Sequence, residues 1–307
     1  FLAGLALEYR AEEAPDFRGA LVHYQAAARA GSREALLALV RLGPPGGPLE
    51  ESPDILRDRL PAAAEAGWVE AAFTLAEALE KALVRSETLK AGDFYYQAAL
   101  AGHPEAALRL GELYLSLNDE ANGAMWLTVA AENNNAQAAL TLGRLYYDRN
   151  PKAAGRWLEK AEGPEAFHLL GEMYLKEKRF VEAVNAFTVS ADQNYAPAHL
   201  SLGLIDLGND FGRKSNVRQA LKHFKAAAQA GLPEGAYQLA QMYLAGQATP
   251  KDSITGAYWL HRAAGQGHEK ARDEYEKLTY NFTVGQKKRL DRMIGEDSLS
   301  RDQHEPN

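Results

Sequence analysis

The sequence predicts an all-α protein, a right-handed superhelical solenoid of about eight helix-turn-helix repeats, and three observations lead to this fold class. The first is composition, because 55 of the 307 residues are alanine while Val, Ile and Thr form no strand-like run. Alanine favours helices and lets neighbouring helices pack closely. The second is a motif that recurs at spacings of 28 to 37 residues. The third is a glycine or asparagine, residues that often end helices, which lies at a constant distance before that motif.

The recurring motif consists of a leucine, a small residue, a variable residue, an aliphatic residue and a tyrosine. It is clearest at residues 110–114, 142–146 and 170–174. Looser copies begin at Leu5, Leu39, Leu75, Leu202 and Leu239. This spacing of large and small residues is typical of the buried face of a helix. Each copy therefore predicts one helix, which we call the A helix of its repeat.

A second motif lies between successive copies and predicts a B helix. It carries an alanine, an aromatic residue four positions later and an alanine pair, as in residues 20–31, 91–102 and 220–231. It ends in a glycine, or in Asn134 and Asn194, eight residues before the leucine of the next A helix. Glycine and asparagine tolerate the left-handed conformation that ends many helices. Neither helix can bury its apolar stripe alone, so we expect the pairs to stack.

The combined pattern resembles the Sel-1-like repeat subclass of tetratricopeptide-like repeats. The fullest match is LAQMYLAG at residues 239–246, TPKD at 249–252 and AYWL at 257–260. The resemblance covers roughly residues 1–278, although the loop between A and B helices has its full length only in that unit. It implies that the A helices line a concave surface and that the protein holds partners and does not transform substrates.

Composition and motifs give no support to catalysis, to a cofactor or to nucleic-acid binding. The formal net charge is −7, and no cysteine is present to provide a disulfide, a thiolate ligand or a nucleophile. The eight histidines show no spacing of four residues that would place two ligands on one metal, and no glycine-rich phosphate loop is present. We therefore predict a protein that is not an enzyme, with no metal site and no cofactor.

The variable position of the A-helix motif stays mostly polar while its neighbours stay apolar, so we expect it to face solvent once in every repeat. It forms what we call the ladder, and with Tyr147 beside it the ladder supplies our candidate partner-binding residues. These are Arg41, Glu77, Glu112, Arg144, Tyr147, Glu172 and Gln241. Leu7 and Leu204 occupy the same position in two copies. An ordinary solvated face is the alternative interpretation of this pattern.

Trp126, Trp157 and Trp259 occupy one position of the B helix, and this periodicity favours packing between repeats over a platform for a sugar or peptide ligand. Outside the repeats, residues 43–54 form a loop rich in proline and glycine, which we interpret as a surface insertion. Thr283 and Gln286 have the spacing of a capping box, so a short helix is expected to follow. The predicted domains are a solenoid over residues 1–280, a capping helix over 281–294 and a mobile tail over 295–307.

The function that these features favour is a protein-protein interaction scaffold or adaptor. Residues 142–174 are similar to the periplasmic repeat lipoproteins of alginate export. That resemblance implies a role in assembling a bacterial envelope complex for exopolysaccharide synthesis or export, in the periplasm or at the outer membrane. Because the chain opens on Phe1, inside an amphipathic pattern, we expect an upstream segment that could carry an anchor. Direct binding of a peptide or an acidic polysaccharide, or a cytoplasmic regulatory adaptor, remain the alternatives.

Overall fold

The computed structural model describes residues 2–3, 17–29, 32, 35, 38, 64, 69–81, 85–103, 105–208 and 215–302. Within these residues the regular structure is entirely helical, which confirms the predicted all-α class. None of the helices in this part of the chain is long and apolar enough to cross a membrane. The helices are α1 Phe17–Arg29, α2 Val69–Lys81, α3 Arg85–Leu100, α4 Ala106–Ser116, α5 Glu120–Glu132, α6 Ala136–Tyr146, α7 Pro151–Ala161, α8 Pro164–Lys176, α9 Phe180–Asp192, α10 Ala196–Leu207, α11 Val217–Gln229, α12 Pro233–Ala245, α13 Ser253–Gly265, α14 Glu269–Tyr280 and α15 Val284–Asp302.

The chain packs as two compact units, Phe1–Leu145 and Tyr146–Asn307. In the first unit, α2 packs on α3, α3 on α4 and α4 on α5. In the second unit each helix from α7 to α13 packs on the next one along the chain, and α15 packs on α13. The even-numbered helices from α2 to α14 are A helices, and the odd-numbered helices from α1 to α13 are B helices. This regular order is that of a stack of helix pairs.

The residues at the B-to-A connections adopt the left-handed conformation that the sequence predicts. Gly102, Asn134, Asn194, Gly231 and Gly267 have φ values of +83°, +64°, +61°, +86° and +91°. A positive φ turns the chain sharply after a helix, and glycine and asparagine adopt it at little cost. The B helices α3, α5, α9, α11 and α13 therefore end where their repeats require, and the next A helix begins within a few residues.

The core is built from alanines that surround one large side chain of each B helix. In the second unit Phe224 is completely buried between Ala220 and Ala228, together with Leu239 and Trp259. Trp126 and Trp259 are each only 8% exposed, which confirms that these two rings serve packing. Because alanine adds little bulk, neighbouring helices approach closely enough for one large residue to fill the space between them.

The small residue of the A-helix motif is needed for this close approach. A Cβ placed on Gly171 would lie 2.7 Å from the ring of Phe187, and one on Gly203 would lie 2.5 Å from the ring of Phe224. A Cβ placed on Gly111 would likewise lie 2.7 Å from Cγ of Leu127. Distances this short are not compatible with a real side chain, so the glycine of the A helix receives the large residue of the B helix that follows it.

The last helix begins as the sequence predicts but runs further. The Thr283 amide donates to Gln286 Oε1 at 2.9 Å, and the Gln286 amide donates to Thr283 Oγ1 at 3.3 Å, which confirms the capping box. Leu290 is buried against Ile254 and Ala257 of α13. The helix then continues to Asp302, whereas the sequence predicts an end at residue 294 and a tail over 295–307. No proline interrupts residues 295–302, so nothing in the sequence forces the helix to stop there.

Two of the sequence predictions lie outside the described residues. They are the loop at residues 43–54, and the copies of the motif that begin at Leu5 and Leu39.

We expect Gly203→Ala to lower the free energy of unfolding by about 1–3 kcal/mol, because the added methyl group must displace the Phe224 ring. Chemical denaturation followed by circular dichroism measures this change. Gly265→Ala is the matched control, since nothing lies within 4 Å of a Cβ at that position. Combining Gly203→Ala with Phe224→Leu should recover part of the lost free energy of unfolding. Equal stability of the Gly203→Ala and Gly265→Ala variants would contradict the packing argument.

Candidate functional site

The ladder position lies at the surface in the first unit, as the sequence predicts. On α4, Glu112 is half-buried and forms an ion pair with Arg109 at 3.4 Å, while its neighbours Gly111 and Leu113 are buried. Glu77 on α2 is also half-buried, and Arg144 on α6 is exposed. Arg41 lies outside the described residues. The alternation follows from the helical period, which turns one side of each A helix to the core and the other to solvent.

In the second unit two of the candidate residues contact each other. The Tyr147 hydroxyl donates to Glu172 Oε2 at 3.0 Å, across one repeat. Lys176 Nζ lies 4.3 Å from the centre of the Tyr147 ring and 3.7 Å from Asp148 Oδ1. The sequence pattern predicts an exposed contact residue at Tyr147, but Lys176 covers its ring and it is half-buried. Burial, followed by the Glu172 carboxylate, raises the pKa of Tyr147 well above its ordinary value.

Gln241 is held in the same way by the next A helix. Its Nε2 donates to Glu274 Oε2 at 2.6 Å, and the Tyr237 hydroxyl donates to Glu274 Oε1 at 2.8 Å. Burial, followed by the Glu274 carboxylate, raises the pKa of Tyr237 to about 12. One carboxylate thus fastens two side chains of α12 to α14. Neither Tyr237 nor Glu274 is among the residues predicted from the sequence.

Histidines form further links between neighbouring helices of the second unit. His168 Nε2 lies 3.2 Å from Ser201 Oγ, and His268 Nε2 lies 2.9 Å from Glu234 Oε2. His268 Nδ1 accepts from the Ala271 amide at 3.1 Å, so Nε2 carries the hydrogen and donates to the carboxylate. No group of three or more acidic or histidine side chains among the described residues is placed to hold a metal ion.

His199 and His223 form another such pair, with their Nδ1 atoms 3.2 Å apart. Two such atoms attract each other only when one carries a hydrogen and the other does not, so at least one ring must be neutral. Asp206 Oδ2 lies 3.8 Å from His223 Nε2. Burial lowers the pKa of both histidines, while Asp206 opposes the effect on His223 and Asp192 opposes it on His199.

The polar residues in these links are about one repeat apart in the sequence. The separations are 25 residues for Tyr147 and Glu172, 33 for both His168–Ser201 and Gln241–Glu274, and 34 for Glu234–His268. A sequence search for polar residues that lie one repeat apart would therefore have identified Glu274, which follows Gln241 by 33 residues. The arrangement joins consecutive repeats along a surface-facing row and leaves Leu204, at the ladder position of α10, 47% exposed.

Stacked helix pairs with a repeating surface position define the class of α-helical repeat solenoids. A family model described as Sel1 repeat matches residues 1–32, 69–103, 104–135, 138–162, 196–232 and 233–268. These six matches cover more than half of the chain, so the protein belongs to the Sel1 repeat family, as the sequence predicts. Residues 163–195 are not matched, yet α8 and α9 in that interval pack as one further helix pair.

Two solved structures share this fold. The c5321 protective antigen of uropathogenic Escherichia coli, which displays an SLR fold, is 21% identical with a TM-score of 0.71; the match covers 94% of this chain and 66% of that chain. A Sel1 repeat protein from Oxalobacter formigenes is 21% identical with a TM-score of 0.66, over 89% of this chain and 90% of that chain. Structural matches at 21% sequence identity establish the fold alone. None of the curated proteins matches the chain.

Sel1 repeats form a family of non-catalytic interaction scaffolds, and proteins built from them bind protein partners. The row of surface positions along the A helices of each unit is therefore a candidate binding surface of this chain. The contacts above show that two of its polar members, Glu172 and Gln241, have a second role, because they also hold consecutive repeats together.

We expect the protein to lose stability as the pH falls below about 6.5, the ordinary pKa of histidine. The pKa values of His168, His199 and His223 are lowered by burial in the folded state, so the unfolded chain binds protons more readily. The stability that these groups contribute is therefore present above pH 6.5 and is lost as the pH falls towards their folded pKa values.

Thermal melting measured from pH 8 to pH 5 tests this dependence, and the double variant His199→Gln with His223→Gln should flatten it. His23→Gln is the control, since His23 is exposed on α1. A pH dependence that is unchanged in the double variant would assign the effect to other groups.

Proposed function

We propose that this protein is a scaffold that binds a protein partner along the A-helix row and thereby assembles a multi-protein complex of the bacterial cell envelope. The observation that carries the binding role is the ladder position, which stays at least partly accessible on the described A helices from α2 to α12 while the small residue before it is buried. A partner that lies across several A helices gains one contact per repeat, so modest contacts add up to a specific interface.

The exposed apolar side chain at the ladder position of α10 gives the partner a place to anchor. Leu204 is 47% exposed, whereas Leu202 and Ile205 beside it are buried at 6% and 7% exposed. The ladder positions before and after it on the A helices of the second unit carry Glu172 and Gln241. An apolar side chain bordered by polar groups is the arrangement of an interface centre with a polar rim. The partner surface is therefore expected to present an apolar residue to Leu204.

The envelope assignment is supported by the similarity of residues 142–174 to the periplasmic repeat lipoproteins of alginate export. We propose that the complex acts in exopolysaccharide synthesis or export, in the periplasm or at the outer membrane. In this role the protein contributes an assembly surface and other components carry out the chemistry.

We expect Leu204→Asp to weaken the partner complex at least about tenfold, because a charge would be placed at an apolar contact. The measurement is affinity purification of wild type and variant from the producing bacterium, followed by titration of the recovered partner. Val189→Asp on α9 is the matched control, since Val189 is 41% exposed but lies on a B helix. Circular dichroism should show equal helix content in both variants, and equal loss of the partner in both would place the interface elsewhere.

We expect the product of the full-length gene to fractionate with periplasmic or outer-membrane markers. Spheroplast release and sucrose-gradient separation of the membranes measure this distribution. Recovery with a cytosolic marker would instead favour the regulatory adaptor.

A further inference from the structure

A second candidate binding site lies in the first unit and includes none of the ladder residues. A cavity of about 370 Å³ opens between α3 and α4. The buried Leu110 and Leu113 of α4 line it together with Leu117, which directly follows α4, and the exposed Asp93 and Tyr96 of α3 lie at its mouth. The volume is that of a small ligand pocket and accommodates one large apolar side chain.

Exposed apolar side chains extend from the mouth of this cavity. Tyr96 is 46% exposed, and Leu100, one helical turn further along the same face, is 65% exposed. The Tyr96 ring packs edge-on against Trp126 of α5, with the ring centres 5.5 Å apart. Met125, next to Trp126, is 50% exposed. We call Tyr96, Leu100 and Met125 the Tyr96 patch. Exposed apolar groups beside a cavity are typical of protein-binding surfaces.

The charge at the mouth indicates the chemistry of the occupant. Asp93 is exposed, and no cation among the side chains that the structure describes lies within ion-pair distance of its carboxylate. A lysine or arginine of a partner is the group that complements it. The same carboxylate disfavours a two-fold dimer through this patch, because the patch would meet itself and the two Asp93 side chains would repel each other. The net charge of −7 likewise disfavours an anionic lipid surface.

We infer that the cavity between α3 and α4 is a docking site for a segment of a partner protein that inserts one large apolar side chain beside a lysine or arginine. The apolar side chain contacts Leu110 and Leu113, its neighbours in the segment cover the Tyr96 patch, and the basic group pairs with Asp93. The site is lined by α3 and by Leu110 and Leu113 of α4, and it does not include Glu112, the ladder residue of α4, so its contact residues differ from those of the proposed function. The scaffold therefore holds a second partner in its first unit.

The experiment uses random peptides displayed on phage, selected on the wild-type protein and counter-selected on Tyr96→Asp. Binding of the selected peptides is measured with ¹³C-methyl methionine NMR, because the chain has only four methionines. Met125 reports on the patch, while Met173 and Met242 are buried in the second unit and serve as internal references. We expect the peptides to carry Lys or Arg beside an apolar residue and to shift the Met125 signal alone.

Charge reversal and a second patch variant complete the test. Asp93→Lys should weaken the selected peptides about tenfold, while Glu159→Lys, the same change at an exposed site on α7, should leave them unaffected. Leu100→Asp should also weaken them and should keep wild-type helix content. Peptides that bind Asp93→Lys unchanged, or that shift Met173 or Met242, would overturn the proposal. If the wild type sediments as a dimer and Tyr96→Asp sediments as a monomer, the occupant is a second copy of the chain and the proposal is overturned. If the wild type binds phosphatidylglycerol vesicles and Tyr96→Asp does not, the occupant is a membrane and the proposal is likewise overturned.

Discussion

The close approach of each A helix to the B helix that follows it is the constraint on which the repeats depend. Gly171 lies against Phe187 and Gly203 lies against Phe224, at distances that leave no room for a side chain on the A helix. The large ring then fills a space lined by alanines, and the contact is repeated in successive helix pairs. Burial of apolar surface at these contacts stabilises helices that are too short to be stable alone. Both proposed binding surfaces are built on helices that pack in this way.

The polar residues on the other side of the A helices link one repeat to the next. Tyr147 with Glu172, and Gln241 with Glu274, form hydrogen bonds over 25 and 33 residues. Such links set the relative position of neighbouring A helices, and Glu172 and Gln241 occupy the ladder positions before and after the exposed Leu204. This arrangement favours binding, because side chains that are already held in place lose less conformational entropy when a partner binds. The half-buried pair of His199 and His223, whose pKa values burial lowers, adds a contact between α10 and α11.

The two surfaces differ in the chemistry that they present. The A-helix row is mostly polar and carries the exposed apolar Leu204 on α10, whereas the site between α3 and α4 combines a cavity, an apolar patch and the carboxylate of Asp93. A protein that binds two partners through different repeats brings them together without any reaction of its own. This is the way in which a scaffold contributes to an assembly.

The sequence by itself determined the helical class, the repeat motif and the points where helices end. These features depend on local spacing and on the backbone preferences of glycine and asparagine, so the motif alone assigns Gly102 and Asn134 to the ends of helices. The sequence also identified the surface ladder, because the helical period alone separates buried from exposed positions. Only the tertiary structure decided that Tyr147 is covered by Lys176, that Glu274 holds two side chains of α12, and that a cavity opens beside Asp93. Such features arise where side chains from different helices meet, and the distance between them depends on how the helices pack, which local spacing does not specify.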